Sequence, residues 1–307
     1  YKKLMFLKKN NFMIFLFHGV IKKNIHKIRN YNSKHILENQ FYQFLKNIKK
    51  RGNIVSLKDI HHTIVNNIDL PDNTFAITFD DGFENNYSVA APILTDLKIP
   101  STFYFSSEFI DKNSMSWIDK IEYCLEYVKS GEIYLPNNNK KYKFFDTKSK
   151  IDLLKIIRKK IKNNFEINLD NFVNFFYDQL NFKKTDQLNT SIDLKINWKK
   201  VKILNNNSLF DVGGHSHRHL SLMSLKKNEA KNEISKSINL FKTKSKIILD
   251  QYSYPEGQKI DFNSTIISEL KKKGIKMCPT AIPGLNNFKT DFFHLRRIQV
   301  DKKFKLI

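Results

Sequence analysis

The chain has 307 residues, of which 41% are hydrophobic and 27% charged, enough apolar material for a sizeable core and too little bias for a disordered tail. Nine glycines and seven prolines exclude collagen-like and low-complexity classes. A net charge of +23 raises nucleic acid or an anionic surface as partners, yet abundant Lys, Asn, Ile and Phe beside scarce Ala and Gly follow an AT-rich codon supply. No nucleic-acid-binding motif accompanies the charge, so no specific nucleic acid is expected.

Cys124 and Cys278 are too few for a disulfide framework and are not spaced as a zinc motif. The basic stretch from Tyr1 to Lys9 precedes an apolar run, Phe12–Phe17, that is shorter than a signal-peptide core and leads into His18-Gly19. It reads as a strand rather than a leader, and a cytoplasmic location is the expectation.

Strand-type runs follow in order at Phe12–Phe17, Ile54–Leu57, Phe75–Phe79, Thr102–Phe105, Leu209–Val212, Gln251–Tyr254, Ile275–Cys278 and Ile298–Val300. Helical stripes lie between them. Ser33 is placed to cap one that carries Leu37, Phe41, Phe44, Leu45 and Ile48, and others recur at Val89–Leu97, Ala230–Phe241 and Ile266–Leu270. This alternation argues for a parallel α/β sheet, open or closed into a barrel. From about 111 to 200 the alternation gives way to consecutive helical patterns, read as an insertion in a single domain spanning 1–307. Within Lys140–Lys162 ten Lys/Arg face two Asp, a basic amphipath. A solvated face is its plainer reading, and peripheral contact with an anionic membrane the sharper one.

Thr78-Phe79-Asp80-Asp81-Gly82 ends the strand Phe75–Phe79, and adjacent carboxylates at a strand's C-terminal end sit where α/β barrels place their chemistry. A simple Asp-Asp-Gly turn is the alternative. Gly213-Gly214-His215-Ser216-His217-Arg218-His219 puts three of the nine histidines within five residues. His215 and His219 can share one face and, with Asp81, offer a two-histidine, one-carboxylate set with open positions for water and substrate. Zinc, cobalt and nickel all accept that set, and zinc is the expected ion.

These residues resemble the polysaccharide deacetylases of carbohydrate esterase family four, whose motifs are Thr-Phe-Asp-Asp-Gly and His-Ser/Thr-x-x-His. The likeness extends from Asp80 through Ala91-Pro92-Ile93-Leu94 to Ile99–Phe105, and to His219-Leu220-Ser221-Leu222. The resemblance implies a distorted (β/α) barrel and metal-assisted removal of N-acetyl, or O-acetyl, groups from a cell-surface polysaccharide or its precursor. Asp81, His215 and His219 would hold the ion and Asp80 would act as base. Ser253-Tyr254-Pro255-Glu256-Gly257 is similar to the family's Arg-x-Pro-Tyr-Gly, with Ser253 in place of Arg and Glu256 in place of Tyr. The backbone N–H of Glu256 would steady the oxyanion, and Tyr254 and Pro255 would line the substrate.

The Arg that normally orients the base is missing at Ser253, and Arg297 in Leu295-Arg296-Arg297-Ile298 is its candidate substitute. The family's C-terminal Leu-x-Leu-x-His is also missing. His18, after the N-terminal strand, is the candidate general acid, as in the circularly permuted branch that includes poly-N-acetylglucosamine deacetylases. The lost Arg leaves a second expectation open, a degenerate member that binds a glycan or metal without turnover. Trp198, capped by Asn197, reads as packing. Trp117 and Tyr104 are weaker candidates for a sugar platform.

Overall fold

The computed structural model describes residues 7–136, 138–161, 164–183, 190–301 and 304. In chain order these form β1 (Asn11–Phe17), β2 (Gly19–Ile21), β3 (His35–Leu37), α1 (Glu38–Arg51), β4 (Asn53–Ile54), α2 (Leu57–Val65) and β5 (Thr74–Phe79). A π-helical turn, Asn86–Ala90, leads into α3 (Ala91–Asp96), followed by β6 (Ser101–Phe105) and α4 (Ser107–Lys112). Then come α5 (Trp117–Tyr127), β7 (Gly131–Leu135), β8 (Asn138–Phe144), α6 (Thr147–Ile161) and α7 (Leu169–Gln179). The chain continues with α8 (Trp198–Asn205), β9 (Phe210–Gly214), α9 (Lys227–Leu240), α10 (Ser264–Lys272), β10 (Asn286–Asn287) and β11 (Arg297–Gln299). None of the described helices is long and apolar enough to cross a membrane.

Two compact units result, one of residues 1–23, 33–114 and 190–307 and the other of 24–32 and 115–189. In the first, parallel strands run β1-β5-β6-β9, because each is a short run of Phe, Ile and Thr buried on both faces and separated by a helix. Beyond β9 the ladder thins to single bridges, Gly214 with Tyr252 and Gln251 with Met277. Thr280 then bonds Leu295, and β11 pairs with β1 at Ile14–Arg297, so the strands return to where they started. The expected distorted barrel is what these residues make. Phe17, Phe79 and Phe103 stack across three neighbouring strands, with ring centroids 5.4 and 4.9 Å apart, and α1 covers Phe17 with Phe41 and Phe44.

Several sequence expectations shift. Ser33 does not cap α1, since residues 35–37 first pair with β2 and the helix starts after Leu37. The strand expected at Ile54–Leu57 stops at Ile54, because Ser56 caps α2 by accepting the Asp59 N–H at 3.0 Å. Gln251–Tyr254 and Ile275–Cys278 are extended but only bridged, and the Ile298–Val300 run begins one residue earlier, at Arg297.

The second unit holds the three expected helices, α5, α6 and α7, around Ile121, Leu125, Leu154, Ile157, Phe172 and Phe176. It also holds the β7–β8 hairpin, which the sequence reading lacked. Its outer face carries Lys141 opposite Tyr134 and Lys143 opposite Glu132, so the strand hid inside a lysine-rich run. Glu126 accepts the backbone N–H groups of Lys27, Ile28 and Arg29 at 3.1, 2.7 and 3.0 Å, which ties segment 24–32 to this unit.

Gly19 follows β1 where the chain passes the His35 ring. A Cβ there would lie 1.9 Å from His35 Nδ1, and that ring is buried at 4.4 Å from the Phe83 ring. Gly19→Ala should therefore cost about 1–3 kcal/mol of stability, read as a lower urea midpoint at unchanged slope.

Candidate active site

The C-terminal ends of the strands gather the predicted residues. His18 follows β1, Asp80 and Asp81 follow β5, His215 follows β9, and Ser253 to Glu256 follow the bridge at Tyr252. Asp81 Oδ1 lies 3.0 Å from His219 Nε2 and 3.7 Å from His215 Nε2. The ligand atoms of Asp81, His215 and His219 all fall within 4.8 Å of one another.

Local structure aims each group. The His215 N–H bonds the Phe105 carbonyl, and its own carbonyl accepts the Ser106 hydroxyl at 2.7 Å. His215 Nδ1 sits 2.9 Å from the Ser253 carbonyl, an acceptor only, so Nδ1 carries the hydrogen and Nε2 is left as the lone-pair donor. Gly214 lets the loop lie flat on the Tyr252 ring, which a Cβ would approach to 2.4 Å. His217, the third histidine, is turned away from the ligand set and pairs its Nδ1 with the Ser107 hydroxyl at 2.9 Å.

Four residues here that are not glycine adopt left-handed backbone: Asp81 at φ 78°, Ser216 at 61°, His219 at 58° and Glu256 at 61°. Such conformations cost about 1–3 kcal/mol each and persist where surrounding structure enforces them. The Ser216 hydroxyl enforces one by accepting the His219 N–H at 2.9 Å.

Arg297, fully buried, reaches Asp80 from β11. Nη1 donates to Asp80 Oδ1 at 2.8 Å and Nη2 to Oδ2 at 2.7 Å, a two-pronged clamp. Nη2 also donates to the Ser253 hydroxyl at 2.8 Å, Nη1 to the Thr78 hydroxyl at 3.3 Å, and Nε to the Thr280 carbonyl at 2.7 Å. The serine standing where an arginine was expected thus accepts from the arginine that arrives by another route.

Charge follows geometry. Burial would raise Asp80, but Arg297 and His215 outweigh it and hold the carboxyl below the ordinary range. Burial opposes ionisation of Asp81 too, and Lys34 and His219 bring it well below that range. Burial lowers His215 to about 4, so it is neutral and ready to donate a lone pair at pH 7. Burial also disfavours charge on His219, but Asp81 beside it raises that imidazole above the usual value. His18 is lowered, by burial first, with Lys34 and Arg297 adding to it against the pull of Asp81 and Asp80.

Asp81 Oδ1 is buried and makes no well-aligned hydrogen bond, its nearest polar neighbour being His219 Nε2 at 3.0 Å. An anionic oxygen orphaned between two imidazole nitrogens is the donor set of a divalent metal, and the residues fit one. Tyr254 differs from expectation. It is fully buried, stacked on Phe262 at 4.2 Å with its hydroxyl donating to the Phe293 carbonyl, so its side chain supports the loop rather than facing a substrate. Pro255 beside it is buried as well. Tyr104 and Trp117 are also buried and offer no sugar platform. Trp198 packs edge-on against Phe241 and donates to Asp111, as packing requires. Lys34, whose Nζ lies 2.8 Å from Asp81 Oδ2, is the group that sequence reasoning missed. One lysine among so many carried no signal.

A parallel barrel with this cluster at its C-terminal rim defines a distorted (β/α) barrel whose site is built around a carboxylate and two histidines. Residues 67–278 match the polysaccharide deacetylase family, and the chain belongs to that family. Three solved structures share its fold. They are the Streptococcus pyogenes deacetylase PplD in complex with acetate (15% identity, TM-score 0.63, covering 95% of this chain and 93% of that one), IcaB from Ammonifex degensii (14%, 0.62, 97% and 95%) and a de-N-acetylase from Aggregatibacter actinomycetemcomitans (15%, 0.63, 96% and 97%). None of the curated proteins matches the chain. His18 and Arg297 both lie outside the matched residues, and the fold brings both to the matched motifs.

Proposed function

We propose that this protein is a metal-dependent deacetylase that hydrolyses the N-acetyl groups of a cell-surface polysaccharide or of its precursor. The observation that carries the reading is the Arg297–Asp80 clamp beside the orphaned Asp81 oxygen. The clamp fixes the rotation of one carboxylate beside the ligand set, as a general base requires, and so favours turnover over binding alone.

Asp81, His215 and His219 would hold the ion, zinc first and cobalt or nickel as substitutes. When bound, it supplies Lewis acidity to the acetamide carbonyl and to the attacking water. Asp80, fixed in rotation by Arg297 and kept ionised, takes a proton from that water. The Glu256 peptide, turned by its left-handed φ, belongs to the loop that would face the developing oxyanion. His18, neutral at rest and electrostatically coupled to both carboxylates, picks up a proton within the site and gives it to the departing amine. That step is needed because an amide anion is too basic to leave. The N-terminal origin of this histidine supports the permuted-branch reading.

The test is acetate release from N-acetylglucosamine oligomers by zinc-loaded protein. Release that stops on chelation and returns with zinc is the expected result. Retained zinc with no acetate from a panel of N- and O-acetylated glycans would move the protein to the degenerate class.

A further inference from the structure

The two oxygens of Asp81 are treated differently. Oδ1 is the orphaned atom between the histidines, whereas Oδ2 receives the Lys34 ammonium at 2.8 Å. Lys34 does not reach there by chance of a loose side chain. The turn before it carries left-handed φ angles at Asn30 (65°) and Ser33 (60°), and its carbonyl accepts the Gly19 N–H at 3.3 Å. The next residue, His35, is in register with Gly19 in the β2–β3 pair and wedges its ring against Phe83, with Asn85 Nδ2 3.2 Å from Nδ1. The Lys34 side chain is only 15% exposed, and its ammonium also lies 4.8 Å from the Phe83 ring centre. Backbone register and ring packing together place this cation on one chosen carboxylate oxygen.

A free aspartate can offer a divalent ion one oxygen or both. With Oδ2 occupied by an ammonium, only Oδ1 remains. We infer that Lys34 is a positioning residue that holds Asp81 to single-oxygen coordination, and so keeps ion positions open for the water and the substrate carbonyl. This inference rests on the metal-site reading above. It also accounts for a lysine beside a cation site, where bare charge repulsion would argue against one: the lysine's use is orientation, as outer partners of metal ligands generally supply.

The test compares full-length parent, Lys34→Met and Lys34→Arg, reading zinc affinity by competition with a chromophoric chelator and coordination by the visible spectrum of the cobalt-loaded protein. Removal of the positive charge and entry of a second carboxylate oxygen both favour zinc, so affinity alone does not separate them, whereas only the second changes the cobalt coordination number. The expected result is cobalt bands of lower intensity in Lys34→Met, as a second carboxylate oxygen adds a ligand, with zinc held at least as tightly as in the parent and the parent's spectrum largely recovered in Lys34→Arg. A Met variant that keeps the parent's cobalt spectrum, or binds zinc more weakly than the parent, overturns the inference. The Arg variant and a near-ultraviolet circular dichroism spectrum separate these outcomes from misfolding. A parent that binds neither ion overturns the metal reading and this inference with it.

Discussion

Arg297→Met is expected to cost about 3–5 kcal/mol of folding stability, because it strands the buried Asp80 carboxylate without its cation. Methionine fills much of the same volume and supplies none of the donors. Both Asp80 oxygens, the Ser253 hydroxyl and the Thr280 carbonyl lose partners in a single substitution. Acetate release should fall with it, by about a hundredfold or more, since a base free to rotate or to protonate no longer meets the water. Lys at this position keeps the charge but not the fork, and should recover part of the stability and little of the rate.

The pH dependence gives this prediction a second reading with a definite sign. Asp80 is held below its unfolded value in the parent, so its contribution to stability is complete above about pH 4 and is lost as pH falls through the lower folded value. In Arg297→Met the opposing effect of burial is left standing, and the carboxyl shifts upward instead. Acid then relieves the variant by neutralising Asp80 while it weakens the parent. The stability gap measured by urea titration should narrow from pH 7 to pH 4, and a gap of constant size would show that the clamp is not electrostatic.

Asp81→Asn is the second large effect. The amide keeps the shape of the side chain but not its charge, and it leaves the two imidazoles without the carboxylate of the ligand set. Bound zinc, measured by elemental analysis after reconstitution, should fall from about one per chain to near zero. Acetate release should drop by about a thousandfold, near 4 kcal/mol of transition-state stabilisation. His215→Ala should lose the ion in the same way. Retention of a full zinc equivalent in either variant would place the ion elsewhere.

Much of the site was legible in the sequence because its chemistry is local. Asp80-Asp81 sits on a strand end, and His215 and His219 sit on the turn after another, so spacing alone predicts their shared face. Arg297 and His18 were reachable only by asking which arginine and which histidine could replace absent ones. Their distance in sequence from Asp80 hid the contact, and the parallel pairing of β11 and β5 with opposite sides of β1 created it. Lys34 was illegible for a compositional reason, since a lysine-rich chain gives no single lysine contrast. Tyr254 was misplaced because a motif position says which loop it belongs to, not which way the ring packs. The hairpin at β7–β8 was lost because its polar face carries the same lysines that made α6 look like part of one continuous basic run.

The order in which the chain is made gives the β11 pairing a temporal meaning. Asp80 and its acidic neighbour leave the ribosome more than two hundred residues before the guanidinium that neutralises Asp80, a separation of 217 positions. Until β11 docks beside β1, the barrel lacks a stave and the carboxylate lacks its cation, so water must stay in the site to solvate it. The catalytic end of the barrel is therefore expected to close only after β11 has been made. Closure of the barrel and orientation of Asp80 then become one event, and a chain truncated before β11 is expected to release little acetate.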